Sequence, residues 1–324
     1  MKKKRGPVIR LLALLTALYI FGGINPLPVQ AGREIALQKN PYTSFSVPTQ
    51  ISYYDGRFFL ADCYHNQMLT SKEAGLPPSQ WEVMDAEFNG PHAIAYDGEL
   101  YVVVDTENNR IVTYKKTWNG FEQLQVIPDV GNRPHYVSYQ ADEGLFYVWS
   151  SLSGEMYLFR RFPIPGSMLL YLEQVKAVPE LQGKYVRSFT IEGDRVYLPC
   201  VNLKCIVAVD KESFEIKDIY PVPDAIAGIV QITRIENLYY ITVLTDSLDD
   251  QSKACFIRTP SLALLSDPAG GYEVITDKVG GMPYYLTKIG GSWYGPIPRE
   301  DGRSAIVRFD VIADQIVNVK EYSY

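Results

Sequence analysis

From residue 47 onwards the chain is built of short runs in which apolar and polar residues alternate, each broken by Gly, Asp or Asn. Alternation with a period of two puts one face of an extended segment in a core and the other outside, so these runs predict β-strands. Val47-Pro48-Thr49-Gln50-Ile51-Ser52-Tyr53 is followed by Asp55-Gly56, then by Arg57-Phe58-Phe59-Leu60-Ala61-Asp62. Gly90-Pro91-His92-Ala93-Ile94-Ala95-Tyr96 is followed by Asp97-Gly98, then by Leu100-Tyr101-Val102-Val103-Val104-Asp105. Arg133-Pro134-His135-Tyr136-Val137-Ser138-Tyr139 leads in the same way to Gly144-Leu145-Phe146-Tyr147-Val148-Trp149. Prolines 48, 91 and 134 stand 43 residues apart. Weaker copies begin near Val186, Ile229 and Pro283. Each unit adds a third strand, such as 110–115 or 304–310, and a fourth, such as 121–127 or 214–220. Four strands every 43 to 54 residues, six times over, predict an all-β chain: a six-bladed β-propeller of four-stranded antiparallel blades. Blades are expected to start near 47, 90, 133, 185, 228 and 281, with 32–46 an extra strand or tail before a propeller spanning 47–324. No stretch of ten or more residues carries a 3.6-residue period.

The first 31 residues read differently. Lys2, Lys3, Lys4, Arg5 and Arg10 precede an apolar run from Leu11 to about Ile24, then Asn25-Pro26-Leu27-Pro28 and Val29-Gln30-Ala31. This is the pattern of an export signal cleaved after Ala31, and it predicts a secreted or extracytoplasmic chain; an uncleaved anchor is the alternative. Nothing else is apolar and long enough to span a membrane.

Composition supports the β reading: 24 Tyr, 13 Phe and 4 Trp accompany 24 Gly and 21 Pro. The net charge of −6 deepens to −11 once the five signal-region cations are removed, which argues against a nucleic-acid partner. Four cysteines do not make a disulfide scaffold. Cys200 and Cys205 flank a four-residue turn and either pair across a hairpin or sit as small buried apolar residues. Cys63 and Cys255 fall on nonadjacent blades.

The stretch PHAIAYDGELYVVVDTENNRIVTY of blade 2 resembles the NHL repeat, and LADCYHNQML of blade 1 is similar; the likeness is specific over 47–150 and diffuse beyond. Two enzyme families of this propeller type carry His after the blade-opening Pro: the peptidyl-α-hydroxyglycine α-amidating lyases and the streptogramin lyases. The amidating lyases hold a catalytic metal with three His from three blades. His92 and His135 match that position, while Thr49, Arg187 and Tyr284 occupy it in blades 1, 4 and 6.

Because the first two strands of a blade form a hairpin, these five residues and the loops after Asp62, Asp105, Trp149 and Cys200 should crowd one mouth of the channel. His92 and His135 are candidate proton carriers or metal ligands, with His65 a candidate third ligand for a divalent metal such as zinc. Arg187 suits an anionic group and Tyr284 an acid or base role. Thr49, Trp149, Tyr64 and Asp105 are candidate ligand contacts, and Trp293 adds to an expected aromatic floor. Asp105 is expected to pair with Arg110; calcium at Asp62 or Asp105 is the alternative. The expected partner is a polar small molecule, glycan or peptide, bound by a monomeric chain. The expected function is either ligand binding at the channel mouth or a lyase or hydrolase reaction there.

Overall fold

The computed structural model describes residues 32–299 and 303–324. The proposed export signal and its cleavage point lie outside the described residues. The described chain is the six-bladed β-propeller that the repeats predict, each blade an antiparallel sheet of four consecutive strands. The innermost strands are Pro48–Tyr54, Pro91–Tyr96, Pro134–Gln140, Thr190–Glu192, Gly228–Ile235 and Thr287–Ile289. Among the described residues no helix is long and apolar enough to cross a membrane.

Residues before the first blade do not complete another blade. Arg33–Ala36 adds a fifth strand to the outer edge of blade 2, and Gln38–Lys39 does the same for blade 1. Arg33 ties the two blades together, donating to Asp85, which also accepts from the buried Tyr114 hydroxyl. The ring is therefore closed without a shared sheet. Blade 6 meets blade 1 through packing: Phe45, Ile51, Leu60, Leu69, Trp81 and Ile306 form one cluster, with Tyr322 and Tyr324 against it. The Tyr324 hydroxyl donates to Ala74 O at 2.7 Å.

Six apolar clusters fill the six spaces between blades. Both faces of each blade are thus covered, which is why the second strands read as continuous apolar runs such as Leu100–Asp105. Trp149 is fully buried in the cluster between blades 3 and 4, so it is a packing residue and not part of a ligand floor. Trp293 is half-buried in the cluster between blades 5 and 6, with Lys288 over its ring.

Asp62 and Asp105 end the second strands of blades 1 and 2 and are fully buried. Asp105 accepts from Asn89 N at 2.6 Å, Asn108 Nδ2 at 2.9 Å and Arg110 Nε at 2.5 Å. Asp62 accepts from Ser46 N at 2.6 Å and Gln67 Nε2 at 2.9 Å, and His65 Nδ1 lies 2.8 Å away. The expected Asp105–Arg110 pair is present, and both carboxylates are occupied by donors, which leaves no oxygen set for calcium. His65 fills in blade 1 the slot of Asn108 in blade 2 and stacks on Tyr42 at 3.6 Å.

The hairpin Arg195–Cys200 and Cys205–Asp210 sets Cys200 directly opposite Cys205; both are free thiols, buried as small apolar residues.

Removing a buried acceptor strands its donors, so Asp105→Ala should lower stability by about 2–3 kcal/mol. Urea unfolding followed by tryptophan fluorescence reads this directly; a midpoint unchanged from wild type would show that the Asp105 bonds carry no stability.

Candidate functional site

The innermost strands of blades 1 to 3 are irregular just after their opening proline. The ladder slips between Pro48 and Gln50, between Pro91 and Ile94, and between Pro134 and Tyr136. A bulge interrupts alternation and re-aims a side chain. His92 and His135 sit in these bulges, so His135 does not share a face with Val137 as strict alternation requires. Arg187 and Tyr284 precede the short innermost strands of blades 4 and 6 instead of lying within them. Tyr284 N donates to Pro296 O at 2.8 Å, and Tyr285 N bridges to Thr49 O of blade 1 at 3.1 Å.

At this mouth lies a cavity of about 990 Å3. Tyr284, Tyr285, Val230, Tyr136 and Leu244 pack together and floor the channel. The lining includes Tyr64, His92, Arg187 and Tyr284, together with Cys63, Arg133 and Tyr185. Thr49 is fully buried and donates to His92 O at 2.7 Å, so it holds the bulge in place instead of meeting a ligand. Asp105 is likewise structural. Tyr64 stands at the rim, 70% exposed.

His92 and His135 stack face to face, ring centroids 3.9 Å apart and 16° from parallel. Tyr285 donates its hydroxyl hydrogen to Arg187 O at 2.9 Å, so it accepts from His135 Nδ1 at 3.0 Å. The network thereby assigns the proton to Nδ1, leaving Nε2 to accept from the Tyr185 hydroxyl at 3.1 Å. His92 Nε2 faces the Cys63 thiol at 3.7 Å, and its Nδ1 is buried without a partner. Burial, reinforced by Arg133 and Arg187, pushes His92 down to about 3; burial with the neighbouring cations drives His135 well below the usual imidazole range. Burial pushes the Cys63 thiol up to about 12.

These residues do not fit the three-His metal set. Both His135 nitrogens are taken by tyrosines, the stacked rings do not converge on one point, and His65 is held by Asp62 and Tyr42. Among the described residues no group of three or more His, Cys, Asp or Glu is placed to hold a metal ion. The site's chemistry is that of neutral imidazoles beside guanidinium groups.

Arg133 and Tyr185 were not legible as single residues. A repeat signal was available: Val47, Gly90 and Arg133 each precede the opening proline, and all three line the cavity. Tyr64 and Glu107 form a second such pair, also 43 residues apart.

The buried histidines give stability a defined pH dependence. Their folded pKa values lie below the unfolded value near 6.5, so the unfolded chain takes up protons first. Their contribution is intact above about pH 6.5 and falls as pH drops, continuing towards pH 3 for His92. Each imidazole adds a slope of up to about 1.4 kcal/mol per pH unit. A His92→Gln, His135→Gln double variant should lose stability less steeply than wild type between pH 7 and 5; parallel urea-midpoint profiles would contradict the assignment of neutral, buried imidazoles.

No protein-family model and no curated protein sequence matches the chain. Among solved structures it is similar to a streptogramin B lyase (14% identity over 93% of this chain and 89% of that one, TM-score 0.54). It is also similar to a putative 6-phosphogluconolactonase from Bacteroides uniformis (10% identity, 83% and 79%, TM-score 0.53). A third likeness is to the hydrazine synthase of Kuenenia stuttgartiensis (14% identity, 85% and 78%, TM-score 0.52). At these identities the shared property is the propeller fold, which several enzymes use for unrelated chemistry.

Proposed function

We propose that this chain is an exported propeller that binds a polar ligand, a glycan or a peptide, in the cavity at the channel mouth. One observation carries the reading. Arg187 is only 6% exposed, lines the cavity, has no acidic partner among the described residues, and keeps Nη1 without a hydrogen bond. A buried guanidinium hydrogen left unpaired is unfavourable by roughly 1–3 kcal/mol, which a ligand acceptor would recover. Tyr284 and His92 lie nearly parallel, centroids 6.2 Å apart, and offer aromatic surface beside it. The basic and apolar first 31 residues support export. A screen of glycans and peptides against the chain lacking residues 1–31 tests the reading. The expected result is a ligand whose affinity drops at least about tenfold in the Tyr284→Ala, Arg187→Ala double variant. Binding that both changes leave intact would place recognition elsewhere.

A lyase or hydrolase reaction is the second reading, favoured by His92 alone. Its Nδ1 is buried and partnerless; burial and the two arginines hold the free imidazole down to about 3, so it would gain base strength only once an anionic substrate neutralises Arg187. Arg187 would hold the anionic group, and Tyr284, whose phenol burial keeps protonated, would give a proton to the leaving group. Here His92→Gln should cut product formation at least about a hundredfold while leaving ligand affinity within a few-fold. Equal turnover by the variant would leave the binding reading alone.

A further inference from the structure

Tyr185 has two cations over its ring. The Arg187 guanidinium lies 4.6 Å from its ring centroid and that of Arg133 lies 5.6 Å away. The tyrosine cannot swing aside, because its hydroxyl is bonded to His135 Nε2. His135 is in turn fixed by Tyr285. The buried imidazole thus acts as a positioning residue for an arginine–tyrosine–arginine clamp drawn from blades 3 and 4.

Both cations keep an unused donor. Arg187 Nη1 and Arg133 Nε are each buried without a hydrogen-bond partner. Arg133 is already paired with Glu107, whereas Arg187 has no acidic partner among the described residues. The clamp therefore carries one net positive charge, which one negative charge neutralises. A phosphate monoester, at about −1.5 to −2 near neutral pH, would meet Glu107 with charge to spare. A carboxylate matches both the charge and the planar fork of a guanidinium.

The repeat position of Arg133 points the same way. Its φ is 63°, in the left-handed region that favours glycine, and the equivalent residue of blade 2 is Gly90 with φ 65°. Val47 of blade 1 is left-handed at the same position, φ 51°, so the conformation belongs to the repeat; what sets Arg133 apart is that it presents a cation to the cavity. Its N–H is taken by Asn109 Oδ1 of the preceding blade, a bond that any residue's backbone can make.

The rest of the cavity selects among carboxylates. Main-chain groups around the rim are used between neighbouring segments: Tyr64 N to Ser46 O, Glu107 N to Asn89 O, Gly90 N to Asn66 Oδ1. On the side of blades 1 and 2 these bonds leave those main-chain groups unavailable to a peptide backbone. The rim does offer aromatic faces and amide side chains, and a volume at the upper end of the roughly 300–1,000 Å3 range of small-ligand clefts. We infer that the Arg133–Tyr185–Arg187 clamp recognises the carboxylate of a uronic-acid residue in an acidic oligosaccharide. The inference rests on the channel mouth being a ligand site, as proposed above.

Calorimetric titration with trisaccharides of galacturonate, glucuronate and mannuronate, their methyl esters, neutral and O-sulfated counterparts, and short peptides ending in a free carboxylate tests it. One or more uronates should bind, with the matching ester weaker by about tenfold to a hundredfold. Arg187→Gln should bring the acid down to the affinity of the ester without altering ester binding, and Arg187→Lys should fall between. Arg133→Gly should weaken uronate binding while keeping or raising the melting temperature, which separates lost recognition from lost folding. Equal affinity for acid and ester, preference for the sulfated sugar, or binding confined to peptides or neutral glycans overturns the uronate assignment and leaves a ligand site at the mouth. No binding by any glycan or peptide overturns both.

Discussion

Everything at the channel mouth depends on how the ends of the second strands are tied down. A strand that stops at a channel rim leaves backbone donors facing a poorly hydrated space, and each must find an acceptor. In blades 1 and 2 the acceptor is a buried aspartate, which takes the main-chain N–H of Ser46 or Asn89 and thereby fixes where the innermost strand of its own blade begins. One turn later an asparagine in left-handed conformation, Asn66 or Asn109, accepts from the main chain of the following blade. The two bonds link hairpin end to blade start and blade to blade. The bulged residues and those just before the prolines then have little freedom, and their side chains are presented to a common space.

That space is unusual for its sign. The chain is acidic overall, yet the cavity lining gathers Arg133, Arg187 and Arg299 against Glu107 and Asp249, with His92 beside them. Burial and the nearby cations both oppose protonation of the histidines, so the local positive charge comes from arginine alone. Arginine keeps its charge where an imidazole or an amine would lose it. Arg133 and Arg299 are paired with Glu107 and Glu321, so Arg187 is the guanidinium of the lining that the described acids leave unpaired.

Much of the architecture could be read from the chain because the proline, the turn and the strand-ending aspartate repeat at a fixed interval. His92, Arg187, Tyr284 and Tyr64 were placed at the mouth by the same register, and all four line the cavity. The departures have separate physical causes. Trp149 was assigned to the rim because strand ends face the channel, but both faces of a blade are buried, and a large ring gains more from the space between blades. His65 attracted a metal reading by its residue type, whereas its offset from Asp62 is that of Asn108 from Asp105, a structural slot. The bulge that turns His135 towards Tyr285 leaves no mark in an alternating pattern. Tyr185 and Arg133 gain their meaning only from each other, across blades 3 and 4, and pairings of that kind are invisible in a linear reading.

The seam between blades 6 and 1 has a consequence for how the ring moves and forms. The four main strands of every blade are consecutive in the sequence, so each assembles from near neighbours, and contacts between blades 6 and 1 come last. The final join has no hydrogen-bonded ladder across it, only side chains such as Phe45, Trp81 and Tyr324 and a few isolated bonds. Local opening should follow this line, because it is the one junction between neighbouring blades that the described chain does not itself cross. The ring is in effect a split washer, and the cavity spans the split: Val47 and Cys63 lie on one side of it, Tyr284 and Arg299 on the other. A ligand lodged there would bridge the two ends of the chain and act as the clasp that the backbone lacks.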